Sequence, residues 1–190
     1  MSTRSGAPGP PSRRSERHLA APTLTVWIYD SALGAAAGEV RLKNLRERNA
    51  LTVHDAITVS WMPGAHQPRI GHLRHETSAA AARGSMLGGL VDLILHATTG
   101  AGTGLTPLGR RLSGTGIDQT FLEEVRAQLH PETSALLVLS SDADLDEVRP
   151  VIERGLARGD VVLMHAELPD DAPELLRAAV RELQGRSGTG

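Results

Sequence analysis

Cysteine is absent from this chain of 190 residues, and aromatic residues are scarce. Without cysteine, disulfides, thiol nucleophiles and cysteine-ligated zinc sites are all excluded. The aromatic residues are Trp27, Tyr29, Trp61 and Phe121. Proteins that bind nucleic acid stack bases on clustered aromatic side chains or carry a strong basic excess. With few aromatic residues and a formal net charge of −2, the chain is expected to have no nucleic-acid partner.

Long apolar runs are also missing. A helix that spans a bilayer needs about 20 mostly apolar residues. In the glycine-rich middle of the chain, the uninterrupted run of apolar residues and glycine is only Met86–Val91. Asp92 ends this run, and His96 interrupts the residues that follow. The sequence therefore predicts a cytoplasmic protein with at most a weak association with the membrane surface.

The two ends of the chain differ in composition from its middle. Residues 1–22 are rich in Gly, Pro and Ser, contain four arginines and offer little apolar surface to offset the entropy of ordering. They are predicted to form a disordered basic tail, in which the arginines are too dilute for a strong lipid-binding patch. Residues 23–184 are predicted to form a single α+β domain, and residues 185–190 a frayed C-terminus.

The hydrophobic periodicity predicts two strand–helix–strand units. The first has strands at Thr23–Tyr29 and Ala56–Trp61, with a helix at about 32–48 between them. The second has strands at Ser134–Leu139 and Val161–Ala166, again with a helix between them. Two such units predict a ferredoxin-like fold, in which four strands form one antiparallel sheet and two helices lie on one face.

The helix of the first unit carries apolar side chains at helical spacing. Asp30 or Ser31 is expected to cap its first turn, since both side chains can accept a hydrogen bond from a free backbone N–H. The positions predicted to face inward are Leu33, Ala37, Val40 and Leu45.

The first strand is apolar on both of its sides. Leu24, Val26 and Ile28 alternate with Trp27 and Tyr29, so neither side of the strand suits exposure to water. Strands of this kind occur where both faces of a sheet are covered. The cover is expected to be the glycine-rich segment, the C-terminal helix or another subunit. The residues predicted to contact a covered sheet face are Trp27, Tyr29 and Trp61.

The segment between the two units is rich in glycine. It is predicted to be an insertion over about residues 69–116, with a short returning strand at Arg69–Leu73 and a helix that ends near His96. Gly84 and Gly88 are four residues apart, so on a helix they leave a smooth groove that another helix can approach closely. That helix belongs either to another subunit or to the same chain. The residues predicted to serve assembly or helix packing are Gly84, Gly88, Gly89, Gly100, Gly102 and Gly104.

No motif in the sequence matches a known catalytic or cofactor site. Residues 100–106 resemble a phosphate-binding loop only in their glycines, because the lysine and Ser/Thr that end such a loop are missing. Asp142, Asp144 and Asp146 lie at a predicted helix start, where carboxylates interact favourably with the helix dipole. We therefore predict that the chain is not an enzyme and uses no cofactor.

Histidines cluster near the start of the insertion, at His66, His72 and His75, with Glu76 beside them. On a strand, His72 and His75 would point to opposite faces, and Gly71 argues against a helix there. Their spacing matches no recognised metal-binding motif. No metal site is predicted.

Gly114–Asp118, with Phe121, Leu122 and the strand Ser134–Leu139, resembles a large bacterial family of unknown function. Members of that family are described as uncharacterised membrane proteins. Leu51–Val59 is similar to the family's second strand, and the glycines of the insertion stand where the family has a glycine-zipper helical hairpin.

Over residues 23–183, the resemblance implies a ferredoxin-like fold with an inserted glycine-zipper helical hairpin. It implies no established activity and no catalytic residues. The chain departs from the family in the second arm of the hairpin, where Pro107, Arg110 and Arg111 interrupt the apolar pattern.

Two classes of function are consistent with these observations. The first is a non-enzymatic, self-associating bacterial protein, a homo-oligomer at most peripheral to the membrane. The second is a regulatory module of ferredoxin-like fold that binds a small molecule, and it rests on fold analogy alone. An enzyme with a site that no motif reveals ranks third.

The lack of a spanning segment makes a prediction for cell fractionation. The protein should be recovered without detergent, in the soluble fraction or released from membranes by high salt, because the apolar segment is too short to cross a bilayer. Retention in the membrane pellet after a carbonate wash would contradict this prediction.

Overall fold

The computed structural model describes residues 18–73, 85–96 and 106–187. A mixed α+β class, as predicted, is evident from the order of elements in these residues. The elements are β1 His18–Leu19, β2 Thr23–Tyr29, α1 Gly34–Glu47, β3 Thr52–Ser60, β4 Arg69–His72, α2 Met86–His96, α3 Thr106–Arg111, α4 Gln119–Gln128, β5 Ser134–Ser141, β6 Ala143–Asp144, α5 Leu145–Leu156, β7 Val161–Glu167 and α6 Ala172–Ser187.

Five of these strands form an antiparallel sheet in the order β4-β3-β5-β2-β7. The central strand β5 pairs with β2 on one side and β3 on the other, and Leu137 lies opposite both Val26 and Ile57. The fifth strand is β4, the short returning strand expected in the insertion, so the sheet has one strand more than the two predicted units supply. Strands β1 and β6 form a separate two-stranded ladder.

Helices of the same chain cover both faces of the sheet. Leu24, Val26 and Ile28 pack in a core with α2, α4 and α6, whereas Trp27 and Tyr29 pack on the opposite side with α1 and α5. The two-sided apolar pattern of β2 was therefore a correct guide to a sheet covered on both faces. Of the expected covers, the inserted helix α2 and the C-terminal helix α6 are both present.

Helix α4 is the element whose local signals were clearest in the sequence. The Asp118 carboxylate accepts a hydrogen bond from the backbone N–H of Phe121 at 2.8 Å, which satisfies one of the free donors of the first turn. Ile117, which precedes the capping residue, and Leu122, which follows it, are both buried. Such a cap contributes about 1 kcal/mol to helix stability.

The prediction for α1 was wrong for most of its buried face. The helix begins at Gly34 after Leu33, which makes no capping hydrogen bond of its own. The Ser31 hydroxyl accepts from the N–H of Leu33 at 3.4 Å, and the Ser134 hydroxyl of β5 accepts from the N–H of Ala35 at 2.9 Å. Leu33 is 68% exposed and Val40 is 59% exposed. The small residues Ala35 and Gly38 lie on the buried face of the helix, so the exposed positions of Leu33 and Val40 were mistaken for that face. The buried residues are Ala35, Gly38, Leu42 and Leu45, while Ala37 is exposed.

Both predicted boundaries of the domain shift in the structure. His18–Leu19 pair with β6, and the carbonyl of Pro22 accepts a hydrogen bond from Leu168 at 2.8 Å, so the predicted tail ends before residue 18. Residues 1–17 lie outside the described residues. At the other end, α6 continues to Ser187, beyond the predicted boundary at residue 184.

Helix α2 lies on the sheet and packs against α6 and α4. Gly88 and Gly89 are buried in it, and their predicted role in assembly or helix packing stays a prediction. The other predicted assembly residues, Gly84, Gly100, Gly102 and Gly104, lie outside the described residues, and assembly through them stays a prediction. Across the described ranges, no helix has the length and hydrophobicity needed to cross a bilayer.

A buried carboxylate links α2 to the sheet. Asp55 in β3 is 5% exposed, and its Oδ2 accepts a hydrogen bond from the backbone N–H of Leu87 in the first turn of α2 at 2.9 Å. Its Oδ1 lies 2.9 Å from Nε2 of His72 in β4. A β-bulge between Val53 and Asp55 allows these two residues to face opposite sides of the sheet.

The burial of Gly88 predicts the outcome of filling its position. Gly88→Leu should lower the free energy of unfolding by about 1–3 kcal/mol, because a bulky side chain must force its way into packed surroundings. Urea unfolding measures this change. Ala127→Leu, at an exposed position of α4, is the matched control and should be nearly neutral.

The same variant tests the assembly alternative. A Gly88→Leu protein that keeps its stability but forms a smaller particle in light scattering would show that the glycine faces another subunit. That result would contradict packing within the chain.

Candidate functional site

A cavity of about 310 Å³ lies between α1, α5 and the face of the sheet that carries Trp27 and Tyr29. We call it the α1–α5 cavity. Its wall is mostly apolar, with Leu, Val and Ile side chains from both helices and from the central strands. The residues that line it are Ala21, Thr23, Thr25, Trp27, Tyr29, Gly38, Arg41, Leu42, Leu45, Leu51, Leu136, Val138, Ser140, Ser141, Ala143, Leu145, Val148, Val151, Ile152, Leu163 and His165.

Two glycines of α1 make room for Tyr29 at one side of the cavity. A Cβ atom at Gly34 would collide with the Cβ and ring of Tyr29, and one at Gly38 would collide with its hydroxyl oxygen. Tyr29 is 4% exposed, so its ring is held between α1 and the sheet. Any larger residue at either glycine would push the helix away from the sheet.

Trp27 is placed by a glycine of α5 in the same way. A Cβ atom at Gly155 would lie 3.0 Å from Cζ3 of the indole, which is tighter than ordinary contact. Gly155 is buried, while Trp27 is half-buried and lines the cavity. The two aromatic rings of β2 thus each contact one helix directly.

Hydrogen bonds fix the start of α1 to the sheet. The Ser134 hydroxyl in β5 donates to the carbonyl of Ser31 at 2.6 Å and accepts from the backbone N–H of Ala35 at 2.9 Å. Beyond the other end of α1, the Arg48 guanidinium pairs with Glu147 of α5 at 2.9 Å. Because the Ser134 side chain is fully buried, its hydrogen bonds constrain α1 more strongly than the exposed Arg48–Glu147 ion pair does.

A chain of three polar side chains touches the rim of the cavity. The buried Ser141 hydroxyl donates to Oδ2 of Asp142 at 2.8 Å and lies 2.9 Å from Nε2 of His54. Because its proton points to Asp142, the serine oxygen accepts from the His54 N–H. In this arrangement the histidine is not placed as a base for the serine, and of the three side chains only Ser141 lines the cavity.

Residues 81–181 match the family described as a protein of unknown function, DUF1269. The match spans more than half of the chain. The chain belongs to the DUF1269 family. Neither the comparison with curated proteins nor the comparison with solved structures gives a match.

The DUF1269 match supplies only one half of the α1–α5 cavity. It includes β5, α5 and β7, whereas β2 and α1, with Trp27, Tyr29 and Arg41, precede it. The resemblance seen in the sequence is therefore confirmed over residues 81–181, and the family's glycine-zipper hairpin stays an expectation. The cavity joins the DUF1269 region to the first part of this chain.

The predicted contact residues have different positions. Trp27 and Tyr29 both line the cavity, whereas Trp61 follows β3 and its indole N–H donates to the carbonyl of Ala65 at 2.9 Å. Sequence reasoning missed Gly38 and Arg41. The spacing of Gly34 and Gly38 is the same four-residue spacing that marked the glycines of the insertion, and it was the available signal.

The histidines near the insertion do not converge in the described residues. His72 bonds to Asp55, His66 is exposed in the turn before β4, and His75 and Glu76 lie outside the described residues. In the part of the chain that the structure describes, no three His, Asp or Glu side chains are grouped as metal ligands would be.

Burial raises the pKa of the Tyr29 hydroxyl above its ordinary value. The positive charges of Arg41 and Arg158 oppose part of this rise, whereas the negative charge of Asp160 adds to it. The phenol is therefore neutral at physiological pH and keeps its proton to a higher pH in the folded chain than in the unfolded one.

The single tyrosine makes this shift directly measurable, because tyrosinate absorbance reports Tyr29 alone. The native protein should titrate above the ordinary midpoint of about 10, and the urea-unfolded protein should titrate near it. The stability that the shift supplies is present below the unfolded pKa and is lost as the pH rises through the folded pKa. Equal midpoints in the native and unfolded proteins would contradict the buried position of the ring.

Proposed function

We propose that this DUF1269 member is a non-enzymatic module that binds a small molecule in the α1–α5 cavity. The observation that carries the proposal is an apolar cavity of about 310 Å³ lined by two helices and the central strands. Ligand cavities begin at about 300 Å³ and are lined mainly by apolar and aromatic side chains with a few polar groups. This wall has that composition.

The volume itself favours an occupant. An engineered cavity of about 150 Å³ already holds benzene, so the α1–α5 cavity has room for a ligand about twice that size. A ligand that fills the cavity removes the apolar wall from water, and it stabilises the folded state once its concentration exceeds its dissociation constant.

The proposal includes a ferredoxin-like core. Strands β2, β3, β5 and β7 and helices α1 and α5 alternate as two strand–helix–strand units, and the sheet order β3-β5-β2-β7 interleaves them. Both helices lie on the face that carries Trp27 and Tyr29. The glycine-rich insertion then contributes β4, α2 and α3, and α4 and α6 complete the cover of the other face.

Self-association is a second candidate, and one observation favours it. Strand β7 lies at the edge of the sheet, and among the described residues no further strand pairs with its outer side. Val162 on this strand is 45% exposed. Edge strands of this kind can pair with a second copy of the same strand. A homo-oligomer joined through β7 would leave the cavity intact.

Ligand binding can be followed with Trp27 alone. Trp61→Phe leaves Trp27 as the only tryptophan, and its ring lines the cavity. In this background we expect decanol to change the fluorescence of Trp27 in a saturable manner. Decanol is a suitable probe because it is small and apolar and carries no charge.

A blocking variant tests where the probe binds. Val148→Phe on α5 fills part of the cavity and should weaken decanol binding by about tenfold or more, since two lost methylenes of burial account for that factor. Leu156→Phe lies on the same helix, is 43% exposed and does not line the cavity, so it should leave the affinity unchanged. Equal affinities in the two variants would contradict binding in this cavity.

A further inference from the structure

We infer that the ligand of the α1–α5 cavity is an amphiphile with an anionic head, most simply a carboxylate, and that Arg41 binds this head. The inference rests on the proposed function and adds the chemical class of the ligand. Three features of the cavity support it: the sign of the charges on its wall, the position of Arg41 and the apolar side chains that form most of the remaining wall.

The charges on the cavity wall have one sign. No Asp or Glu is among the residues that line it, although the whole sequence has 22 acidic residues against 20 basic ones. The lining residues able to carry a charge are Arg41 and His165. A cationic ligand would find no counter-charge in this wall, and a neutral one would leave Arg41 without a partner charge.

Arg41 keeps donors available for a ligand. It is half-buried on α1 and lines the cavity together with Tyr29. The ion pairs among the described residues involve Lys43, Arg48, His72, Arg111 and Arg158, so none of them engages Arg41. A guanidinium group has five N–H donors in a planar fork that matches a carboxylate, so Arg41 can make a bidentate contact with an anionic head.

Arg41 is a better anchor than His165. A guanidinium presents its donors in a planar fork that matches a carboxylate, whereas an imidazole does not. His165 is also exposed, on β7 opposite Thr25, so water screens its charge. The partly buried guanidinium is the group whose interaction with an anion depends least on the solvent.

The rest of the wall suits an apolar tail. The α1 side chains Leu42 and Leu45 face Val148, Val151 and Ile152 of α5 across the cavity. Each methylene that leaves water for such a wall strengthens binding about fourfold, so the tail supplies affinity while the head selects for charge. A ligand with a short alkyl chain or a small ring system and a terminal carboxylate fits both parts.

Decanoate, decanol and decylamine share one alkyl chain and differ in the charge of the head, so they test the inference directly. With Trp27 fluorescence in the Trp61→Phe background, decanoate should bind about tenfold tighter than decanol, the factor that one charge-assisted contact supplies. Decylamine should bind more weakly than decanol. This comparison needs no change to Arg41, so it holds even where an Arg41 variant folds poorly.

Arg41→Met then assigns the preference to one side chain. Methionine keeps much of the apolar stem and removes the charge, so within this variant decanoate should bind no tighter than decanol. Arg46→Met, at an exposed position of the same helix outside the cavity, should keep the preference. A preference lost in His165→Asn but kept in Arg41→Met would overturn the assignment to Arg41.

The outcomes separate this inference from the proposed function. Equal affinity for decanoate and decanol would overturn the anionic ligand and leave a cavity that binds apolar molecules. Failure of all three probes to bind would contradict the proposed function itself. Tighter binding of decylamine than of decanoate would reverse the sign of the inferred head group.

Discussion

The contact between two aromatic rings and three glycines sets the geometry of one whole face of the sheet. Tyr29 packs beneath Gly34 and Gly38 of α1, and Trp27 packs beneath Gly155 of α5. At these points the helices meet a ring directly, so each helix is held at the height of that ring above the sheet. Between the two contacts, smaller side chains such as Val138 leave the space that becomes the α1–α5 cavity.

The opposite face is organised by burial and by one carboxylate. Asp55 accepts from the backbone N–H of Leu87 and pairs with His72, so a single buried side chain joins β3, β4 and the first turn of α2. Loss of the Asp55 carboxylate would leave the buried N–H of Leu87 without this acceptor, which costs about 1–3 kcal/mol. This link holds the glycine-rich insertion in place on the sheet, and the two faces of β2 are thereby both covered by the same chain.

Periodicity in the sequence was sufficient for features that depend on neighbouring residues. The alternation along β2 separated Trp27 and Tyr29 from Val26 and Ile28, and the cap at Asp118 needed only the next three residues. These features arise from local chain geometry, in which side chains alternate on a strand and caps act within one turn. The mixed α+β class was predictable from the same signals.

Features that depend on distant contacts were not predictable in this way. Period-two alternation places Val53 and Asp55 on one face, but the bulge between them turns them to opposite faces. The buried face of α1 is set by its contact with Tyr29, so the large side chains of Leu33 and Val40 gave the wrong orientation. The cavity is the space left between packed helices and strands, and no single segment of the sequence predicts it.

The most direct measurement is a crystal structure of the protein grown with ω-bromodecanoate, because the anomalous signal of bromine locates the end of the alkyl chain. We predict a bromine peak between α1 and α5 close to Trp27, with the carboxylate within hydrogen-bond distance of Arg41. A peak on the side of α2 and α6, or a cavity filled by another segment of the same chain, would contradict the proposed binding site.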